Sequence, residues 1–179
     1  MSTTDKLFNY KTAKAIADKY LDLLKDKCER IEIAGSLRRQ KNYIGDIELV
    51  CIPKKMLVQD GLFDQTETND KEFIEYLKTF KILKGNPENG KYIKIQLPED
   101  INLDLFLANQ INYGLIIMIR TGSWQFSKRM VWECKASGYY VDGGNLWRKK
   151  NKELVPVPEE IDFFKITGID YIDPSARIF

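Results

Sequence analysis

The sequence contains no histidine, and its 179 residues include only three cysteines, six prolines and eleven glycines. Without an imidazole, Ser-His-Asp and Cys-His nucleophile systems, His-liganded zinc and imidazole acid–base catalysis are all excluded. Cys28, Cys51 and Cys134 are odd in number and far apart. That argues against a disulfide framework or a thiolate zinc site and fits a reduced, cytoplasmic compartment. The longest apolar run, 115–119, is far short of the roughly 20 residues needed to span a bilayer. Residues 1–9 have no apolar stretch after a basic start, so no secretory signal is expected. Net charge is nearly absent too: 28 basic against 26 acidic side chains leaves +2.

What is present is an ordinary globular composition, 44% hydrophobic and 30% charged, long enough for one domain or two small lobes. The charge is segregated. Six acids against Lys71 alone fill 57–75, and eight bases against Glu133 and Asp142 fill 120–152. The acidic run reads as a solvated face. The basic run is interleaved with Trp124, Phe126, Trp132, Tyr139, Tyr140 and Trp147. Cations among aromatics suit a polyanion with stackable bases, although several of these rings must serve the core.

Apolar spacing predicts helices over 10–27, 70–80, 113–120, 123–136 and 159–166, and strands over 31–34, 46–52, 80–84, 91–97 and 103–108. Asp142-Gly143-Gly144-Asn145 marks a hairpin. The order describes an α+β fold with a boundary near 109–121.

The chemistry concentrates in Ile33-Ala34-Gly35-Ser36-Leu37-Arg38-Arg39 and Gly45-Asp46-Ile47-Glu48-Leu49-Val50. A strand running into Gly35-Ser36 lets backbone approach a ligand, and a helix starting at Ser36 would offer free N–H groups to an anion. Arg38 or Arg39 would add a bidentate phosphate contact. Residues two apart on a strand share a face, so Asp46 and Glu48 project together, and Asp104 shares a face with Asn102 and Phe106. If the two strands are neighbours, three carboxylates converge. Like charges so placed call for a cation, and oxygen ligands alone select Mg²⁺ or Mn²⁺. A phosphate cradle beside a carboxylate trio is the equipment of phosphoryl or nucleotidyl transfer.

These motifs resemble the nucleotidyltransferase superfamily and, within it, the family X, polymerase beta-like DNA polymerases. The resemblance extends through Leu103-Asp104-Leu105, Thr121-Gly122-Ser123-Trp124-Gln125-Phe126 and the tail from Glu160 through Gly168-Ile169-Asp170-Tyr171-Ile172-Asp173-Pro174 to Arg177. It implies a minimal form without lyase or helix-hairpin-helix domains. Residues 1–109 would be an N-terminal helix and a palm, a mixed sheet with helices on one face; 110–179 would be a small α/β nucleotide-selecting lobe. Asp46, Glu48 and Asp104 would be the catalytic metal ligands for Mg²⁺ or Mn²⁺. Ser36 and Arg39 would grip the nucleotide phosphates with help from the Gly35 and Gly45 backbone. Gly122 would lie under the sugar and base, and Lys128 would face the template.

The implied reaction is addition of dNMP from a dNTP to a primer 3′-hydroxyl on primed or gapped DNA, releasing pyrophosphate, in gap-filling repair by a monomer, as in small viral members. Glu48 stands where the family has Asp, Ile119-Arg120 replaces an aromatic pair, and Ser127 and Val131 stand where Asn and Arg are usual. Sugar selection is therefore left open, and weak minor-groove checking is implied. Two other readings remain: template-independent transfer to RNA, protein or a small molecule, and a catalytically silent nucleic-acid-binding module.

Overall fold

The computed structural model describes residues 6–60 and 64–178. Residues 1–5, part of the stretch read for a secretory signal, and 61–63, inside the acidic run, lie outside the described residues. The chain runs β1 (Phe8–Asn9), α1 (Tyr10–Lys25), β2 (Cys28–Ile33), α2 (Gly35–Arg38), β3 (Tyr43–Ile44), β4 (Asp46–Pro53), β5 (Lys55–Asp60), β6 (Asp64–Asn69), α3 (Lys71–Lys78), β7 (Lys81–Lys84), β8 (Tyr92–Gln96) and β9 (Asn102–Leu107). It continues through α4 (Tyr113–Thr121), α5 (Trp124–Ala136), β10 (Tyr139–Asp142), β11 (Asn145–Arg148), β12 (Leu154–Val155), α6 (Glu160–Thr167) and a 3-10 turn at Pro174–Ala176.

The organising element is a five-stranded mixed sheet in the order β2-β4-β9-β8-β7, with β4 and β9 parallel at its centre. Ile47, Leu49 and Cys51 of β4 and Leu103 and Leu105 of β9 point to one face. There they meet Ala13, Ala17, Tyr20 and Leu24 of α1 and Phe73 and Leu77 of α3. The helical spacing of those α1 residues is why 10–25 forms an amphipathic helix, with Asn9 capping it by accepting from the Thr12 amide at 2.9 Å. On the other face Val50, Ile52, Phe106 and Ala108 lie under Tyr113 and Ile117 of α4. The C-terminal elements form a second core around Leu115, Met118, Phe126, Met130, Phe163 and Phe164. The architecture is α+β, and no described helix is long and apolar enough to cross a membrane.

Apart from the short strands β1, β3 and β12 and the 3-10 turn, which apolar spacing does not mark, two features depart from the expected elements. β2 begins at Cys28, three residues before the predicted strand, because Glu29 and Arg30 interrupt the apolar pattern at its start. Part of the acidic run, solvent-exposed at Asp64 and Glu67 as expected, is also paired as strands β5 and β6, from Lys55↔Asn69 to Asp60↔Asp64.

Candidate active site

The parallel register of β4 and β9 sets Asp46 opposite Asn102 and Glu48 opposite Asp104. With side chains alternating along each strand, Asp46, Glu48 and Asp104 rise from the same face, while Ile47, Leu49, Leu103 and Leu105 anchor the strands in the core below. β8 is the next strand and sets Lys94 opposite Asp104. Asp104, 7% exposed, accepts a hydrogen bond from the Tyr92 hydroxyl at 2.9 Å and has the Lys94 ammonium 3.4 Å away. Farther along this face the sheet is dry under α4, so the carboxylates sit at the wet end of an otherwise apolar surface.

Burial and then the nearby Asp104 raise the Asp46 carboxyl. Burial, followed by Asp46 and Asp104, pushes Glu48 up to about 7 against the opposing pull of Arg39 and Arg120. The site thus resists carrying three negative charges by itself. Its donor set suits a hard divalent cation in charge and in oxygen chemistry. Among the described residues, however, no three His, Cys, Asp or Glu side chains form a ready metal-holding group. Glu48 lies against Gly35, and Asp104 is taken up by Tyr92 and Lys94.

The Gly35-Ser36 segment is built around Glu48. The Ala34 amide donates to the Glu48 carbonyl at 2.8 Å, joining the end of β2 to β4. The chain then turns into the one-turn α2 with Gly35 at φ +60°, and a Cβ there would stand 1.7 Å from Glu48 Oε2. Only glycine permits both the backbone conformation and the carboxylate's position. Gly35→Ala is expected to displace the Glu48 carboxylate, lowering any activity of this site by about tenfold or more and the melting temperature by a few degrees. Steady-state rates and a melting curve check both.

The two arginines that follow separate in role. Arg38 donates to both oxygens of Glu160 at 2.8 and 2.9 Å and to Thr121 Oγ1 at 2.7 Å, tying α2 to the C-terminal part rather than facing a ligand. Arg39 donates to the Thr121 carbonyl at 2.6 Å and keeps a buried Nε without a partner among the described residues; burial also lowers its pKa. Arg39 and Glu48 border a pocket of about 510 Å³. Its other walls are Ile119, Arg120, Gly122, Ser123, Trp124, Ser127, Lys128 and Val131. Gly122 makes the α4–α5 corner possible, since a Cβ there would lie 2.3 Å from the Phe126 ring. Ser123 caps α5 by accepting from the Phe126 amide at 3.1 Å. Ser127 Oγ turns back to donate to the Ile119 carbonyl at 2.6 Å, and Arg120 stacks 4.0 Å from the centre of Phe106.

Of the residues singled out in the sequence, Arg39, Glu48, Gly122 and Lys128 meet in this pocket, and Asp46 and Asp104 adjoin Glu48 on the sheet. Ser36 and Gly45 do not line it; Gly45 is an exposed residue just before Asp46, and Ser36 is half-buried on α2. Lys94 and Tyr92 were not foreseen. Both alternate with Ile93 and Ile95 on β8, so their common face was readable, but only the β8–β9 pairing brings them to Asp104.

Residues 116–178, roughly a third of the chain, match the DNA polymerase beta thumb family. No curated protein matches the chain. The match supports a polymerase beta-like relationship, and it does so independently of Gly35-Ser36, Asp46-Ile47-Glu48 and Asp104, which all lie outside it.

Proposed function

We propose that this chain is a divalent-metal-dependent DNA nucleotidyltransferase that adds a nucleotide to a primer 3′-hydroxyl, with pyrophosphate leaving, in the filling of short gaps. The observation that carries the reading is the β4–β9 register, which gathers Asp46, Glu48 and Asp104 beside a pocket entered by Arg39 and Lys128. Residues 1–109 would supply the reactive carboxylates and 110–179 the surface that holds nucleotide and DNA.

Asp46, Glu48 and Asp104 would hold Mg²⁺ or Mn²⁺. Such an ion, once bound, would acidify the attacking hydroxyl and offset phosphate charge. Lys94 would give up its position beside Asp104. Arg39, whose buried Nε lacks an acceptor among the described residues, would donate to the triphosphate, with Ser36 and the backbone of Gly35 and Gly45 at its margin. Gly122 would leave room for the sugar and base. Lys128 would meet the template. The dry cluster beneath α4 would keep water from one flank of the carboxylates.

One observation favours a second reading, template-independent transfer. Ser127 is turned back onto Ile119, and Val131 is apolar, so neither offers a polar group for inspecting a base pair. Extension of gapped, primed and single-stranded DNA with each of the four dNTPs and rNTPs separates the two. The expected result is addition of the complementary nucleotide, fastest on gapped DNA. Addition indifferent to template would replace the first reading with the second.

A further inference from the structure

The outer face of α5 carries two tryptophans that the fold does not use. The helix packs inward through Phe126, Met130 and Cys134, all fully buried. Trp124 and Trp132, eight residues and about 12 Å of helix axis apart, are 71% and 69% exposed. Lys128 stands between them, its ammonium 4.7 Å from the centre of the Trp124 ring. The rings flank a shallow groove of about 500 Å³ with Gln125, Lys128, Val131 and Lys135 in its lining. The groove shares Trp124, Lys128 and Val131 with the candidate active site, so the two surfaces are continuous.

The charge around the groove selects what can fill it. Glu133, the acid on this helix, is bonded to Arg129. Lys149 donates to the Lys135 carbonyl, which brings a further cation to the far end, and Arg39 and Arg120 stand at the near end in the adjoining pocket. Large apolar rings left in water beside Lys128 and Lys135 suit a ligand that is anionic along its length and presents flat faces. Duplex DNA hides its base faces, whereas an unpaired strand offers one at every nucleotide.

The geometry points to this face of α5 as a stacking platform for unpaired bases of a single nucleic-acid strand leading into the candidate active site. Calling that strand the template rests on the nucleotidyltransferase reading; the binding itself does not. Trp124 and Trp132 supply stacking, Lys128 and Lys135 meet the phosphates, and affinity falls as salt rises.

The test is anisotropy of a labelled oligothymidylate titrated with the full chain, without nucleotide or divalent cation, at two salt concentrations. Trp132→Ala is expected to weaken binding about tenfold, and Trp132→Phe to retain most of it. Melting temperatures should be unchanged in both, because the side chain packs on the surface. Equal affinities for Trp132→Ala and the parent chain would overturn the proposal. So would a Trp132→Ala variant that loses only self-association in sedimentation, which would make the face a protein interface. Extension of gapped DNA is scored in parallel. Extension with no effect of Trp132→Ala on oligonucleotide affinity removes the platform alone, and tryptophan-dependent binding without extension removes the polymerase reading alone.

Discussion

Asp104→Asn should lower nucleotide incorporation about 10³-fold while the chain stays folded. Asn keeps the shape of Asp and can still accept from the Tyr92 hydroxyl, so the local packing survives. What disappears is the negative charge at the centre of the sheet's reactive face. Stabilisation of charge by a carboxylate-held cation contributes several kcal/mol to such reactions, and each 1.36 kcal/mol is a factor of ten in rate. Stability has opposing contributions. Removing the charge relieves repulsion with Asp46 and Glu48, whose carboxyls are raised in part by Asp104, but leaves Lys94 without its partner. A melting temperature within a few degrees of the parent is expected. Single-turnover incorporation read beside a melting curve distinguishes lost chemistry from lost fold, and an Asp104→Asn rate within tenfold of the parent would put the reacting centre elsewhere.

Glu160→Ala should destabilise the protein by about 3–5 kcal/mol, roughly 10 °C in melting temperature for a chain of this size. Glu160 receives Arg38 from α2 and Arg177 from the tail. Arg177 is completely buried, donates its Nε to the Ile172 carbonyl at 2.8 Å, and is surrounded by the rings of Phe126, Phe164 and Tyr171. Its Nη2 has no hydrogen-bond partner among the described residues, so little else there can absorb the charge once Glu160 is gone. Removing one member of a buried pair costs more than the pair itself contributes, because an uncompensated charge remains.

The same residue sets an acid limit. Burial raises the Glu160 carboxyl, but the hydrogen bonds from Arg38 and Arg177 outweigh it and hold the carboxyl below its usual range. A depressed carboxyl contributes its stability in full above the unfolded value, about 4.3, and loses it as pH falls toward the folded value. The gap between the melting temperatures of the parent chain and Glu160→Ala should therefore narrow below about pH 4. A gap independent of pH would mean that the contribution of Glu160 is not its charge.

Where local pattern and buried faces agree, the sequence was enough to find the elements. The alternation of Asp46-Ile47-Glu48-Leu49 announced a half-buried strand, and Ala13, Ala17, Tyr20 and Leu24 announced the helix that covers it. Asp142-Gly143-Gly144-Asn145 forms the two-residue hairpin expected, with both glycines at positive φ. The helix near 159–166 begins at Glu160, where Glu159 and Asp162 close a capping box, and ends at Gly168 in a left-handed conformation. The β5–β6 pairing was hidden because β6 is polar throughout and β5 holds Met56, Leu57 and Val58 in a row, with no apolar alternation to reveal either strand.

The site was readable to the same depth and no further. Asp46, Glu48 and Asp104 could be placed on one face once their strands were taken as neighbours, but nothing local says that β4 and β9 pair in parallel. Nor does local sequence say that Arg38 leaves the site for Glu160 while Arg39 remains beside the pocket. Those are long-range choices, made by the packing of α4 on the sheet and of α6 on α4. Gly114 shows how close that packing is: a Cβ there would lie 2.2 Å from the Glu159 backbone.

As proposed above, Asp46, Glu48 and Asp104 form a cation-dependent centre for nucleotide addition. Single-nucleotide incorporation into gapped DNA by the parent chain, with Mg²⁺ or Mn²⁺ and again after chelation, tests it most directly. Product should form with either ion, with one pyrophosphate released per nucleotide added, and should vanish when the ion is removed. Incorporation that survives chelation, or none at all while DNA binding persists, would contradict it.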